Sequence, residues 1–198
     1  MAAITMELIQ ALRERTGIGM MDCKKALQEA DGDIEKSIEL LRKKGAAVAA
    51  KRSGNATAEG VVHAYVHPGS RIGVIVELNC ETDFVARTAD TVAFASDLCM
   101  HIVAFRPLYA SKEEVPADLV AKEKAIFAEQ MATSSKPAAI AEQIIEGKLQ
   151  KFYNEICLLN QPFVKNDKFT VDEMLKQLIA KMGENIKIKR FARFEIGA

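Results

Sequence analysis

The segment 72–105 constrains the fold most, because its hydrophobic pattern changes from a period of about two residues to the helical period. Residues 72–78 form a strand-like apolar run, and residues from about 88 to 105 form a helix-like run. The stretch between them, residues 77–87, reads Glu-Leu-Asn-Cys-Glu-Thr-Asp-Phe-Val-Ala-Arg and contains no Gly or Pro that would mark a simple turn. Its aromatic ring, Phe84, is costly to leave in water, so it either enters the core or awaits a partner.

Period-two patterns elsewhere predict the rest of a small sheet. Residues 61–66 and 72–78 flank the sequence His-Pro-Gly-Ser, in which Pro68 and Gly69 suit the second and third positions of a tight turn. We therefore predict a β-hairpin, and the alternating residues 185–196 predict a third strand that joins it. With helices covering the sheet, the fold class is α+β with an antiparallel sheet.

The first part of the chain predicts three short helices. The first runs from a cap at Thr5 to residue 15, the second covers residues 20–30, and the third starts at Asp33. Gly45 is expected to end or relax the third helix, and residues 46–58 are interpreted as a linker, with a helical start left open. We predict two domains, a three-helix domain with its linker at residues 1–53 and an α+β core at residues 54–198.

The remaining helices are predicted from apolar spacing and from breakers. Residues 91–105 and 117–131 form two of them, and Gly147 is expected to separate a helix at 138–145 from another at 148–158. Residues 161–164 are predicted to be extended. A last helix at 171–182 ends at Gly183.

Composition excludes several classes of function. The chain has 27 Lys and Arg against 27 Asp and Glu, which argues against nucleic acid as the main partner. No apolar run is long enough to span a bilayer, and the N-terminus has no signal-peptide or transit-peptide pattern. The four scattered cysteines indicate free thiols in a reducing compartment, so a cytoplasmic location is expected.

Reactive chemistry within the chain is poorly supported. No phosphate-binding loop is present, so direct binding of GTP or ATP is not expected. His63 and His67 share one side of a strand, but no third ligand completes a metal site. Cys80 with Glu81 and Asp83 is the one arrangement that would suit a thiol or carboxylate enzyme, and it lacks a base. We predict no catalytic residue, metal or cofactor.

Two adjacent methionines at a helix start leave two interpretations open. Met20 and Met21 point about 100° apart, so both cannot easily enter one small core. Either they seal the three-helix core, or at least one is exposed for a partner, a role that suits flexible methionine. Arg13 is within reach of the same turn, where it is either a partner contact or a solvated side chain.

Two long stretches resemble the signatures of the translation elongation factor Ts family. Residues 12–27, from Leu-Arg-Glu-Arg-Thr-Gly to Lys-Lys-Ala-Leu, resemble the first signature, and residues 77–87 resemble the second. Residues 161–164 and 181–186 are also similar, so the resemblance covers essentially the whole chain. It implies a guanine nucleotide exchange factor for elongation factor Tu that is not itself an enzyme.

The resemblance also implies roles for particular residues. In the family, the N-terminal unit is a ubiquitin-associated-like domain that docks on the GTPase. The resemblance implies that Arg13, Met20 and Met21 of this chain occupy the docking positions. Thr82-Asp83-Phe84-Val85 falls on the segment that disturbs the Mg²⁺ site of Tu. The short chain implies self-association, so a homodimer is expected. The alternative from another class is an adaptor that uses the three-helix domain to bind some other protein.

Overall fold

The computed structural model describes residues 4–132 and 137–197 and has the predicted α+β fold. Helices α1 to α3 come first, two strands follow, and the third strand of the same sheet lies at the C-terminal end. The elements in chain order are α1 (Met6–Thr16), α2 (Met20–Glu29), α3 (Ile34–Arg52), β1 (Glu59–Val66), β2 (Ile72–Cys80), α4 (Asp83–Ala86), α5 (Ala89–Phe105), α6 (Ala117–Ala132), α7 (Ala138–Ile156), β3 (Pro162–Phe163), β4 (Asn166–Thr170), α8 (Val171–Met182) and β5 (Ile186–Glu195).

The three N-terminal helices begin at the predicted caps and share one small core. The Thr5 hydroxyl accepts a hydrogen bond from Leu8 N, and the Asp33 carboxylate accepts one from Lys36 N. Gly17 ends α1 in the left-handed conformation, with φ +67°. The buried side chains of this core are those of Ile9, Leu12, Cys23, Ala26, Leu27 and Leu41.

The expectation that Gly45 ends or relaxes the third helix is wrong. Helix α3 continues to Arg52, because Gly45 lies on the buried stripe that it shares with Leu41 and Ala49. A β-carbon at Gly45 would lie 3.2 Å from the β-carbon of Ala180 in α8. The glycine therefore allows two helices to approach closely, and this packing offsets its cost of about 1 kcal/mol within a helix.

The sheet has the order β1-β2-β5 and is antiparallel, as predicted. The predicted turn joins β1 to β2, with Ser70 N donating to His67 O over 2.9 Å and Gly69 at φ +92°. One face of β2 is buried at Val74, Val76, Leu78 and Cys80.

Gly147 lies inside a single helix, α7, so the prediction that it separates two helices is also wrong. Helix α7 is continuous over 19 residues, and the position of Gly147 is open enough that a side chain would meet nothing within 4 Å. Burial of Leu149 on the same helix favours continuity over the local preference of glycine. The extended residues 161–164 prove to include β3, which pairs with β4.

His101 is buried in α5, as the packing interpretation predicted. Its Nδ1 accepts a hydrogen bond from Val164 N, so its Nε2 carries the proton and donates to Gln161 Oε1 over 2.9 Å. The ring stacks on Phe105 with 4.5 Å between centroids. Burial lowers the pKa of His101 below its ordinary value, since the charged form would lose its hydration.

The chain divides into two compact units. The first unit comprises Met1–Val61, Leu78–Ala93 and Glu173–Lys187, and the second comprises Val62–Glu77, Phe94–Asp172 and Ile188–Ala198. The first unit therefore contains the three N-terminal helices together with residues 82–85. No helix in residues 4–132 and 137–197 is both long and apolar enough to cross a membrane.

Candidate functional site

The segment after β2 forms one turn of helix, α4, that the sequence analysis did not predict. Thr82 is its N-cap in the extended conformation, and the Thr82 hydroxyl accepts from Val85 N over 3.5 Å. Helix α4 covers only residues 83–86, too short to show a helical period in the sequence. The turn carries Asp83 and Phe84 at its first two positions, so its start decides where both side chains point.

Phe84 lies on the outside of this turn and leaves 81% of its surface exposed to solvent. The two residues that follow it, Val85 and Ala86, are buried and hold the turn to the first unit. The turn therefore presents an apolar ring to solvent while the residues behind it are held in place, an arrangement that is open to a partner surface. The structure thus decides the question raised by the sequence: Phe84 is not part of the core.

Asp83 is half-exposed and pairs only locally. Its carboxylate lies 3.0 Å from the Arg87 guanidinium, one helical turn further along the chain. Ion pairs this exposed contribute little to stability because water screens them. The Asp83 carboxylate can therefore exchange Arg87 for groups of a binding partner at little cost.

Glu184 fixes the start of the turn from a distant part of the sequence. Its carboxylate accepts two hydrogen bonds from Thr82, one from the backbone N over 3.1 Å and one from the hydroxyl over 2.8 Å. The hydroxyl therefore donates to Glu184 and accepts from Val85 N at the same time. Hydrogen bonds to a charged acceptor are stronger than those between neutral groups, so Thr82 is firmly held.

The neighbouring residues make the reciprocal contact. Asn185 N donates to Glu81 Oε1 over 2.6 Å, and Asn55 Nδ2 donates to Glu81 Oε2 over 2.9 Å. The bond from Asn185 N is the main reason why the pKa of Glu81 is lowered, and Asn55 and Arg52 lower it further. Asn185 also donates to the carbonyls of Ser53 and Asn55. Glu81 is thus occupied as a structural acceptor rather than free for proton transfer.

The N-terminal candidate residues lie at the turn between α1 and α2. Met20 and Met21 open α2 and are 39% and 66% exposed, and neither belongs to the buried core of the three helices. The interpretation that both seal that core is therefore wrong. Arg13 is exposed in the last turn of α1. Its backbone carbonyl accepts from Gly17 N over 2.7 Å, which closes that helix beside the methionines.

The sites proposed for other chemistry are not assembled. Cys80 is fully buried, and burial together with the nearby charge of Glu184 raises the pKa of its thiol to about 11, so it does not ionise near neutral pH. The His67 ring contacts the Tyr65 hydroxyl over 3.2 Å, and no cluster of three metal-binding side chains occurs among the residues that the structure describes. The enzyme alternative based on Cys80, Glu81 and Asp83 is therefore not supported.

Sequence reasoning missed Glu184 and Asn185 as part of the site. Both belong to the segment 181–186 whose similarity was noticed, but no local pattern indicated what they contact. Their partners lie 102 and 104 positions away in the sequence. A polar pair placed immediately after the glycine that ends a helix was the one signal that could have drawn attention to them.

Comparison with known proteins gives a consistent family assignment. The family model described as Elongation factor TS matches residues 9–198. The protein named Elongation factor Ts from Carboxydothermus hydrogenoformans is 55% identical over 194 residues, which cover 98% of this chain and 89% of that protein. Its namesake from Desulfotalea psychrophila is 54% identical over 196 residues, covering 99% and 100%. The one from Fervidobacterium nodosum is 54% identical over 194 residues, covering 98% of each.

Proposed function

The chain belongs to the elongation factor Ts family, and from that premise we propose that it releases GDP from elongation factor Tu by applying Asp83 and Phe84 to the Mg²⁺ and phosphate site of that GTPase. Members of this family are guanine nucleotide exchange factors for Tu and carry out no bond chemistry of their own. Family membership thus decides against the adaptor that binds some other protein. The part we propose is the mechanism and the residues that perform it.

The observation that carries the proposal is the exposed ring of Phe84 on an anchored turn. Mg²⁺ in GTPases of this type is held by few protein ligands together with phosphate oxygens, so small displacements of the surrounding loops weaken it. Phe84 inserts its ring between elements of the GTPase domain, and its burial supplies binding energy. Asp83 leaves Arg87 and competes for groups near the metal.

Loss of Mg²⁺ leaves the phosphates of GDP without their counter-charge, so GDP dissociates faster. Linkage requires that GDP weaken the binding of the factor by the same ratio by which the factor weakens GDP. Catalysis of exchange therefore needs only a ternary complex in which the two ligands weaken each other. Incoming GTP completes the cycle by expelling the factor.

The docking surface on the three-helix domain supplies affinity in this proposal. Met20, Met21 and Arg13 contact the GTPase domain, while Thr82, Asp83, Phe84 and Val85 act on the metal site. We carry forward the predicted division into a docking domain at residues 1–53 and a core at 54–198. Its support is that α1 to α3 have their own buried core and that α3 ends at Arg52. We place the protein in the cytoplasm with Tu.

Release of fluorescent GDP from Tu, with and without the protein, tests the function directly. We expect the wild-type chain to accelerate release strongly and the Phe84→Ala variant to lose most of that acceleration. A Leu108→Ala variant, which removes another apolar side chain that is 66% exposed, controls for the loss of exposed apolar surface as such. Equal release by wild type and Phe84→Ala would contradict the proposed role of the ring.

We also propose that the chain forms a homodimer through the outer face of its sheet. Within the second unit, that face exposes apolar side chains that alternate with inward-facing residues along the strands. They include Val62 and Val66 of β1, Ile75 of β2 and Phe194 of β5, each between 45% and 67% exposed. Exposed apolar side chains on three neighbouring strands suit a self-complementary interface with two-fold symmetry.

The oligomeric state is measured by light scattering coupled to size-exclusion chromatography. We expect a mass of twice 21.7 kDa for the wild type and a shift to the single-chain mass for Ile75→Lys. A charge at this position is exposed in the monomer but would be buried and unpaired in the dimer. A wild-type chain that runs as a monomer at tens of micromolar would refute the dimer without touching the exchange mechanism.

A further inference from the structure

We propose that Glu184 is a positioning residue for nucleotide exchange, which orients Phe84 and Asp83 by holding the cap of the turn that carries them. The inference rests on the function proposed above, since it assigns Glu184 to the same site. Glu184 does not face the partner in this scheme: its carboxylate is turned toward Thr82, and it acts through that residue.

The geometry of the contact supports a fixed orientation. One carboxylate takes both donors of Thr82, the backbone N and the hydroxyl, so it restrains the backbone and the side chain of the cap together. The Thr82 hydroxyl in turn accepts from Val85 N and starts the helix. Glu81 and Asn185 make the opposite exchange one residue away, with Asn185 N as the donor. Thr82 thus donates to Glu184 while Asn185 donates to Glu81. These bonds fix the register between residues 81–82 and residues 184–185.

Helix α4 needs such a restraint because it is only a single turn of four residues. A first helical turn fixes several backbone dihedrals for one hydrogen bond, so an isolated turn is unstable. Val85 and Ala86 are buried and hold the inner side of the turn, at the end away from Thr82. The Glu184 contact is the restraint at the end of the turn where Asp83 and Phe84 are located.

Helix α8 connects this restraint to the docking helices of the same unit. Ala180 packs beside Gly45 of α3, and the Lys181 side chain lies beside Gly17, in the turn that leads to Met20. The Lys181 ammonium also bonds to the Asp90 carboxylate over 2.6 Å, near the start of α5. Gly183 ends the helix at φ +72° and turns the chain so that Glu184 reaches Thr82. Helix α8 therefore links the position of Phe84 to that of the docking surface through direct contacts.

A cycle of single and double variants tests this inference with the full-length chain. Glu184→Ala, Phe84→Ala and the double variant are compared by the maximal rate of fluorescent-GDP release from Tu at saturating factor. We expect Glu184→Ala to lower the maximal rate about tenfold while changing the half-saturating concentration less than threefold. In the Glu184→Ala background, Phe84→Ala should cost at most a further threefold, because the ring is already misdirected.

Control variants separate positioning from a general loss of stability. Glu142→Ala removes an exposed glutamate from α7. It should leave the maximal rate of GDP release, the half-saturating concentration and the unfolding temperature unchanged. Glu184→Gln keeps one acceptor for Thr82 and should retain an intermediate rate. If Glu184→Ala unfolds the chain, Thr82→Val replaces it in the cycle, since that change removes only the hydroxyl that links Glu184 to Val85.

The outcomes distinguish this inference from the function on which it depends. If the losses from Glu184→Ala and Phe84→Ala multiply in the double variant, Glu184 acts independently of the ring and the positioning role is wrong. If Glu184→Ala releases GDP as fast as the wild type, the role is equally wrong. If Phe84→Ala alone has no effect, the proposed mechanism of exchange fails first, and that result is read from the single variant.

Discussion

Replacement of Phe84 by alanine should separate exchange activity from stability. The ring is 81% exposed in the free protein, so the folded chain gains little from it. A phenylalanine side chain offers about 200 Å² of surface. At ~25 cal/mol per Å², covering the exposed four-fifths contributes up to about 4 kcal/mol to a complex, and the buried fifth contributes about 1 kcal/mol to folding.

Part of that binding energy is offset by the cost of ordering the side chain and by imperfect contact. We therefore expect a loss of about 2 kcal/mol in the complex, typical of an interface anchor, which corresponds to a ~30-fold slower stimulated release of GDP at subsaturating factor. The neighbouring variant Val85→Ala provides the contrast, since Val85 is 91% buried. Its loss should destabilise folding by about 2 kcal/mol and lower the unfolding temperature by roughly 4–8 °C.

Stopped-flow release of a fluorescent GDP analogue from Tu gives the exchange rate, and circular dichroism on heating gives the unfolding temperature. Phe84→Ala should change the first strongly and the second by no more than about 4 °C. The reasoning would be refuted by wild-type release rates in Phe84→Ala. It would also be refuted if that variant lost as much thermal stability as Val85→Ala, since Phe84 would then act as a core residue.

Three further outcomes are expected from other parts of the molecule. The double variant Met20→Ala, Met21→Ala should raise the half-saturating concentration for exchange about tenfold with little change in unfolding temperature, because both side chains are exposed; unfolding of the helices would contradict this. The pKa of His101 is lowered in the folded state, so the unfolded chain takes up a proton at this residue at a higher pH, about 6.5, than the folded chain does. The free energy of unfolding should therefore decrease from pH 7 to pH 5. In urea titrations, His101→Asn should show a smaller decrease over the same range. The Cys80 thiol, with a pKa of about 11, should resist alkylation by iodoacetamide at pH 8 until the chain unfolds, and alkylation of the folded chain as fast as of the unfolded chain would contradict its burial.

Local sequence patterns predict most of the helices and strands, because the forces that set these elements act over a few residues. Thr5 and Asp33 cap their helices through hydrogen bonds to amides three residues ahead, and Gly183 ends α8 through its own backbone conformation. The alternation along β2 likewise follows from burial of one face only. The exposure of Phe84 could be suspected for the same reason, since Val85 and the helix after it can hold the segment to the core without Phe84.

The two glycines show where local reasoning fails. Gly45 and Gly147 were both expected to interrupt helices, and both lie inside continuous ones. At Gly45 the decisive contact is Ala180, which is 135 positions away and invisible to any local window. A helix preference of about 1 kcal/mol is smaller than the packing of a whole helix face, so tertiary contacts override it.

The sequence by itself determined the fold class, the helix caps and the hairpin turn, because each depends on the chemistry of near neighbours. Only the tertiary structure decided that β5 lies beside β2, that Gly45 admits α8, and that Glu184 and Asn185 hold residues 81 and 82. Those contacts depend on which distant surfaces fit together after the chain collapses. That is why a place for Phe84 outside the core could be suspected from the sequence, while the helical turn that carries it and the carboxylate that holds that turn could not.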